Sequence, residues 1–574
     1  MRKYFILFAL LCLTSALSAQ LPQFSNDGED HYYYIKSNLG KIYLADQGVG
    51  KAVRTANLQI APSMQWKFVG TKDNCQIVNA EGHYMWLGGK AISASGDSEE
   101  AGSGGGNNDK PLRTQETAWS NGFKLAAHPN KGNCFTITPT DDSRNYGFNV
   151  WGGNGTGKTI GLWDNSDGNN AFVFEDIDDV TTGDFPVEGA TAFTPEHPLT
   201  LWYNFPATAT LVDNPWMEYG LPLGNGRLGA VLLGGIQNDE IQFNEKTLYN
   251  GSPTAYGDHG RYANFGSVFV KDLSKVFGEG KPVQDYVRYL DIENAVAGVN
   301  FRSDATSYTR RYFISAPNNV VVARYTAEGT DKLHLLFSVT PDNAIGAGTV
   351  AYKDGGGSFS GKSTTVSYAH QFRVVSDGTV ATTDKGIEVS GATQVTFYMT
   401  AATNFDPSTP SWVKGTTSTL KTTASSTLDK AASMDYDALL ADHISNFTNL
   451  MGRVDLNLGG SSTKSTDKLI DYYATESNRK TADGLFLETL YFQYGRYLEI
   501  ACNNLFVAAP SNLQGIWNND SQTDFWHCDV HADVNVQMNY WPAEPTNLSE
   551  CHLPFLENII TVSQDKYNYH TIAQ

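Results

Sequence analysis

Basic residues are the scarce class in this chain. Its 574 residues carry 41 Lys and Arg against 61 Asp and Glu, a formal net charge of -20, and no Lys/Arg run occurs. Polyanions and anionic membrane faces are recognised by clustered cations, so nucleic acid and membrane surfaces are excluded as expected partners. Cysteine is also sparse, with six residues in all. Past the first twenty residues no run is apolar enough for a membrane span. Charged residues make up 18% and apolar residues 41%, a balance that fits large globular cores and not a disordered chain. The length allows roughly three or four domains.

The first twenty residues are MRKYFILFALLCLTSALSAQ. Arg2 and Lys3 precede an apolar run from Tyr4 to Leu13, and small residues follow, with cleavage expected near Ala19. This is the pattern of a secretory signal peptide over 1–20, and it predicts a secreted or periplasmic protein. Leu11 precedes Cys12 where a lipoprotein signal needs a small residue, so no lipid anchor is expected. Export permits disulfides. Cys75 with Cys134 and Cys528 with Cys551 are possible pairs, leaving Cys502 over; buried thiols throughout are an equally open alternative.

Residues 27–180 read as many short strands between Gly/Asn/Asp turns: HYYYIKS, QWKFVG, CQIVN, GFKLAA, CFTITP, AFVFEDID. Aromatic closing runs at Trp66–Phe68, Phe123 and Phe172–Phe174 recur at roughly 50-residue spacing, an imperfect threefold repeat. With its QWKFV run, this segment resembles a ricin B-like β-trefoil. The resemblance implies a carbohydrate-binding module, with Trp86 and Trp151 as lectin sugar-binding residues; core tryptophans are the alternative. GGNGTGKT, Gly152 to Thr159, satisfies a phosphate-loop pattern. The turn-rich IGLWDNSDGNN that follows cannot supply the helix such a loop requires, so a glycine-rich hairpin is expected and no nucleotide.

A Thr/Gly/Pro/Asp linker spans 181–195. Residues 196–430 then alternate as strands of one large antiparallel β-sandwich, with Gly355–Ser367 and Gly415–Ser426 read as turns. Helical periodicity begins at Tyr436, with Leu439, Leu440, His443, Phe447, Leu450 and Met451 on one stripe. A helical linker is placed at 431–479. A second helix runs from about Gly484 to Asn504, with Leu487, Leu490, Tyr491, Tyr494, Leu498 and Ala501 on one face.

The stretch from Asn512 to Pro554 concentrates the chemistry. Trp517, Trp526, Tyr540 and Trp541 stand among His531, Asp533, Asn535, Asn539 and Glu544. Aromatic faces stack on sugar rings, while amides and carboxylates bind hydroxyls. A carbohydrate site follows. His527, Cys528, His531, Cys551 and His552 lack the tight spacing of a zinc site, so no metal or other cofactor is expected.

Five ordered motifs, LPLGNGRLGA, IQFNEKTLYNG, LYFQYGRYLEIA, NLQGIWN and VNVQMNYWPAEPTNLSECH, make the chain from Leu201 onward resemble glycoside hydrolase family 95. The resemblance implies an N-terminal β-sandwich, a helical linker and an (α/α)6 catalytic barrel, here begun at 480–574. Such a barrel takes roughly 300 residues, so its start alone is expected here, without the general acid. The expected fold is thus multidomain, β then α. The implied activity is inverting exo-hydrolysis of terminal α-L-fucose, α-1,2-linked, or of α-L-galactose, from glycans. A non-catalytic carbohydrate-binding protein or inactive fragment is the alternative. By position, Asn535 is the water-contacting asparagine, and Asp533 stands where the family has a second asparagine. Substrate contacts are implied for His531, Trp517, Trp541, Asn244 and Glu245, the last two read also as a turn closing the barrel mouth.

Overall fold

The computed structural model describes most residues from 21 to 564; those left out include 1–20, 89–110, 178–186, 208–214, 251–260, 275–282, 520–524, 565–574 and Asp533. The signal-peptide reading and much of the linker 181–195 fall outside the described residues. The chain divides into two compact units, Met1–Asp184 and Phe185–Gln574.

In the first unit six strands pair antiparallel in succession and close a ring: Tyr32–Ser37, Gln65–Thr71, Asn74–Asn79, Phe123–Ala127, Phe135–Pro139 and Phe172–Asp176, which returns to the first. Three further pairs stand beside it: Tyr43–Ala45 with Arg54–Ala56, Tyr84–Leu87 with Leu112–Gln115, and Tyr146–Val150 with Ile160–Asp164. The recurrent aromatics Trp66, Phe68, Phe123, Phe172 and Phe174 share one core. Trp66 is wholly buried because its indole N–H finds the Leu44 carbonyl at 3.0 Å. The segment Gly152–Thr159 joins the third pair, with Gly152, Gly153, Gly155 and Gly157 all at positive φ and no helix after it.

The second unit is mostly β, with a helical C-terminal part. One sheet runs Val283–Asp291, Val296–Ser303, Thr306–Ser315, Val320–Glu328, Gln394–Thr403, Ser367–Ser376 through its middle. The other runs Leu221–Gly224, Leu228–Leu232, Asn238–Glu245, Gly266–Asp272, Leu333–Pro341, Ile387–Ala392, Thr379–Thr382. Their inner faces share a core in which Phe337 of one sheet stacks on Phe397 of the other, 5.6 Å between ring centres. The buried Asp239 carboxylate lies between the Tyr312 and Tyr325 hydroxyls and 3.7 Å from Arg310.

Among the described residues there are seven α-helices: α1 Pro215–Tyr219, α2 Thr417–Ser433, α3 Tyr436–Met451, α4 Thr466–Ala474, α5 Ala482–Asn503, α6 Asn535–Asn539 and α7 Ser549–Gln564. Two expectations are corrected here. The Thr/Ser-rich run read as a turn at 415–426 lies largely in α2. Its helix is started by a capping box between Thr416 and Thr419, and Ala424, Leu428 and Ala431 pack against the sheet. The turn read at Gly355–Ser367 likewise contains a strand, Gly356–Lys362. The stripe of α3 is buried as expected, apart from the half-buried Leu440. The inward face of α5 is rotated from the expected one. It carries Leu490, Gln493, Arg496, Tyr497 and Ile500, while Tyr491 is 78% exposed. Arg496 explains the rotation: its guanidinium donates to the terminal carbonyls of α3, Met451 at 2.7 Å and Leu450 at 3.0 Å.

The disulfide alternative is also settled toward thiols. Cys75, Cys134 and Cys551 are buried thiols, so neither expected pair is made.

Candidate functional site

The motif LPLGNGRLGA is where the sandwich meets α5. Side chains at Gly224 or Gly226 would run into the Ala501 carbonyl and the Leu505 amide, each 2.5 Å from the added carbon. Bare backbone lets the strand end abut the helix C-terminus, and the Gly226 amide caps Ala501 at 2.7 Å. The chain then turns into Asn512–Asn518, which is sewn onto the sandwich. Trp517 donates from its indole to the Leu223 carbonyl at 2.8 Å. The Asn518 amide N–H donates to Asn244 Oδ1 at 3.0 Å, and Asn244 Nδ2 returns to the Asn518 carbonyl at 2.8 Å.

These contacts correct the substrate-contact expectation for three residues. Asn244 and Glu245 are wholly buried, and Trp517 is 8% exposed. Glu245 is held by Arg227 at 2.9 Å and by the Thr247 amide and hydroxyl. Their polar groups are spent inside the protein, joining strand to helical segment, and none presents a face to a sugar.

Behind this seam lies a polar hub that the sequence reading missed. Lys246, wholly enclosed, donates to the Cys502 carbonyl at 2.8 Å and to Asn503 Oδ1 at 3.0 Å. The Tyr540 hydroxyl donates to the same Asn503 oxygen at 2.9 Å and accepts from the Ser511 amide at 2.7 Å. Burial pushes the Glu499 carboxyl up to about 8, against the pull of Lys246. Burial likewise pushes the Lys246 ammonium down to about 8.

Tyr540 closes α6, so the hub suspends the short helix that carries Asn535. Asn539 Nδ2 ties the helix again, to the Asn512 carbonyl at 2.9 Å, and Gln537 Nε2 donates to the Ala532 carbonyl at 2.7 Å. Just before Asn535, Val534 sits at φ 76°, a left-handed conformation that costs a β-branched residue about 1–3 kcal/mol. Asn535 itself is half-buried, and its side-chain amide makes no hydrogen bond among the described residues. His531 lies four residues earlier, its Nδ1 3.2 Å from Asp529 Oδ1, and its carbonyl accepts from the Val536 amide at 2.9 Å. Trp541 is 64% exposed. Asp533 falls outside the described residues.

In the first unit Trp86 and Trp151 are half-buried, each with its ring over a glycine. A carbon added at Gly88 would lie 1.8 Å from the Trp86 ring, and one at Gly161 would lie 1.9 Å from the Trp151 ring. Among the described residues one trio, Asp46, Glu81 and His83, brings potential metal-ligand atoms together. Its central carboxylate is already taken up by Thr114, the Gly48 amide, Asn79 and His83 at 2.6–3.0 Å.

Comparison with known proteins agrees with these motifs. Residues 435–571 match the glycosyl hydrolase family 95 catalytic domain, and 201–261 and 254–408 match the glycosyl hydrolase family 65 N-terminal domain. Alpha-L-fucosidase 2 of Arabidopsis thaliana is 28% identical over 407 residues, 60% of this chain and 47% of that protein. Over these segments the chain is similar to glycoside hydrolase family 95 and to alpha-fucosidases. The probable alpha-fucosidase A of Aspergillus niger is 27% identical over 404 residues, 62% of this chain and 49% of that protein. The chain spans about half the length of the curated relatives it matches. Among solved structures, a putative kojibiose phosphorylase from human microbiome aligns at TM-score 0.40 and 12% identity, covering 57% of this chain and 45% of its own. A Macrolepiota procera ricin B-like lectin in complex with lactose aligns at TM-score 0.21 and 16% identity, covering 25% of this chain and 94% of its own.

Proposed function

We propose that this chain belongs to a secreted or periplasmic inverting exo-glycosidase that removes terminal α-L-fucose, α-1,2-linked, from glycans, with α-L-galactose as the alternative sugar. The observation that carries this reading is the open amide of Asn535. Every polar tie around it, from Tyr540, Asn539 and Gln537, is spent on holding α6, and the Asn535 amide is not. Inversion needs a water held on the face of the sugar opposite the leaving oxygen, with a carboxylic acid protonating that oxygen. Asn535 Oδ1 takes the water as an acceptor. An amide is too weak a base to ionise it alone, so a carboxylate must share the proton. Asp533, two residues earlier, takes that part or raises the pKa of a supporting carboxylate. His531 and Trp541 contact the sugar. We assign the general acid to no residue of this chain, and the helical segment 480–574 is read as the start of the (α/α)6 barrel.

The closed six-strand ring with three flanking pairs supports the β-trefoil reading of 27–180, and the ring-over-glycine setting of Trp86 and Trp151 supports sugar binding there. That observation favours a second reading, a carbohydrate-binding protein without turnover. Incubation with 2′-fucosyllactose separates the two. Where the general acid is also supplied, hydrolysis is expected to release L-fucose first as the β-anomer, seen by proton NMR, and Asn535→Ala is expected to slow it about 100-fold. Retention of fucosylated glycans by the 574-residue chain without any release of fucose would rule out turnover by this chain and leave binding.

A further inference from the structure

The second unit contains a cavity of about 420 Å³ whose lining includes none of Asn535, His531, Trp541, Trp86 or Trp151. It opens on the outer face of the sandwich. Its floor is a row across three strands, because Tyr289 pairs with Gly298 and Gly298 with Arg311. Gly298 is what lets the floor lie flat: a carbon added there would stand 2.4 Å from the Tyr289 ring. One wall is the segment Phe193–Thr200, the other the side of α3 with Leu440 and Ile444.

The first wall is fixed, not draped. His197 pairs with Asp291 at 2.8 Å, the Leu199 amide donates to Glu293 at 2.8 Å, and Phe193 stacks on Tyr289 at 5.5 Å. The Asp291 carboxylate is held by His197 and by Asn294 Nδ2 at 2.9 Å, and Arg311 and Glu196 are the other charged side chains of the lining. Arg311 lies in the same row as Tyr289 and has no carboxylate partner among the described residues. Asn300, on the neighbouring row, has a buried side-chain oxygen that accepts no hydrogen bond. A buried acceptor without a donor is uncommon and points to a missing partner.

The lining therefore offers donors and acceptors together, carries charges of both signs, and has apolar side chains in both walls. A neutral polyol with donating and accepting hydroxyls and an apolar ring face has this same character. The volume lies at the small end of the roughly 300–1,000 Å³ range of ligand pockets. We propose that this cavity is a separate saccharide-binding site that takes one or two neutral hexose units. It holds a glycan away from the Asn535 floor, and it stands or falls independently of the hydrolase reading.

The experiment uses the 574-residue chain carrying Trp86→Ala, Trp151→Ala and Trp541→Ala, which removes the aromatic platforms of the other candidate sugar sites. Lactose, cellobiose and maltose are the probes, read by saturation-transfer NMR and calorimetry, with thermal unfolding confirming that each variant is folded. Binding is expected to persist in this triple variant. Adding Arg311→Ala should weaken it about 10-fold or more, as loss of a charged donor does. Glu196→Gln should weaken it less. Thr194→Trp, on the exposed part of the wall, should block the cavity without touching its floor, and it keeps the question open to measurement if Arg311→Ala fails to fold. Three results overturn the proposal: no binding of any probe up to about 50 mM, binding indifferent to both Arg311→Ala and Thr194→Trp, or binding confined to an acidic sugar such as glucuronate.

Discussion

Two segments of one aromatic stretch behave in opposite ways. Asn512–Asn518 is absorbed into the sandwich, its amides reciprocally bonded to Asn244 and its tryptophan pinned to Leu223. Asn535–Trp541 is suspended from that seam by Tyr540 and Asn539, and it leaves Trp541 exposed and the side-chain amide of the half-buried Asn535 without a hydrogen bond among the described residues. The same residue types, Trp and Asn, thus do unlike work a few turns apart. In the first segment polar groups are consumed by assembly; in the second, assembly is delegated to neighbours so that one amide stays available. A motif match cannot tell these apart, because both segments are equally part of the family pattern.

The largest effect should come from the absorbed segment. Trp517→Ala removes a buried indole and leaves the Leu223 carbonyl without its donor, and is expected to cost about 4 kcal/mol of stability in urea unfolding. A loss below about 1 kcal/mol would mean that the seam is looser than drawn. Acid should also strike this side of the comparison. His443, packed on Phe313 with Nε2 against the Asn294 and Ala295 carbonyls, is held by burial down to about 4. The folded state refuses a proton that the unfolded chain accepts near 6.5. Stability is therefore unaffected well above that value, falls as pH drops through it, and levels off below about 4, by about 3 kcal/mol in all. His370, wholly buried among Phe243, Phe265 and Phe359 and held by burial down to about 3, acts in the same direction. Urea midpoints at pH 7.5, 5.5 and 4.5 should decline less steeply in His443→Gln than in the wild type; parallel declines would remove His443 from the account.

The open segment should invert that pattern, with function lost and stability kept. Asn535→Ala is expected to lower fucose release by about 100-fold, near 2.7 kcal/mol, while shifting stability by less than about 0.5 kcal/mol. An equal loss of stability and activity would place Asn535 with Trp517 and dissolve the contrast.

Much of the assembly was legible because it rests on periodicity. The recurring Trp66, Phe68, Phe123, Phe172 and Phe174 form one core, and the α3 stripe from Tyr436 to Met451 is buried. What escaped was polar burial. The inward face of α5 holds Gln493, Arg496 and Glu499, whose partners are helix-end carbonyls and a distant lysine that no local pattern reveals. The α2 run escaped for a related reason: Thr and Ser are poor helix formers alone, and packing against the sheet overrides that preference. The buried fate of Asn244, Glu245 and Trp517 was invisible because a strand end and a loop more than 250 residues apart must meet before either is covered.

The smallest structural effect belongs to Trp541. It is 64% exposed and its side chain makes no hydrogen bond among the described residues, so Trp541→Ala should change stability by less than about 0.5 kcal/mol. If its ring is a sugar platform, the substitution should raise KM for 2′-fucosyllactose several-fold, about 1 kcal/mol of stacking, and leave kcat nearly intact. Tyr540→Phe, one residue away, should do the reverse. It deletes the hydroxyl that ties α6 to Asn503 and Ser511, so kcat should fall as Asn535 loses its fixed position while sugar affinity holds. A tyrosine that governs turnover beside a tryptophan that governs affinity would locate the boundary between scaffold and site within a single peptide bond; identical kinetic changes in both variants would mean that the two side chains support one structure and nothing more.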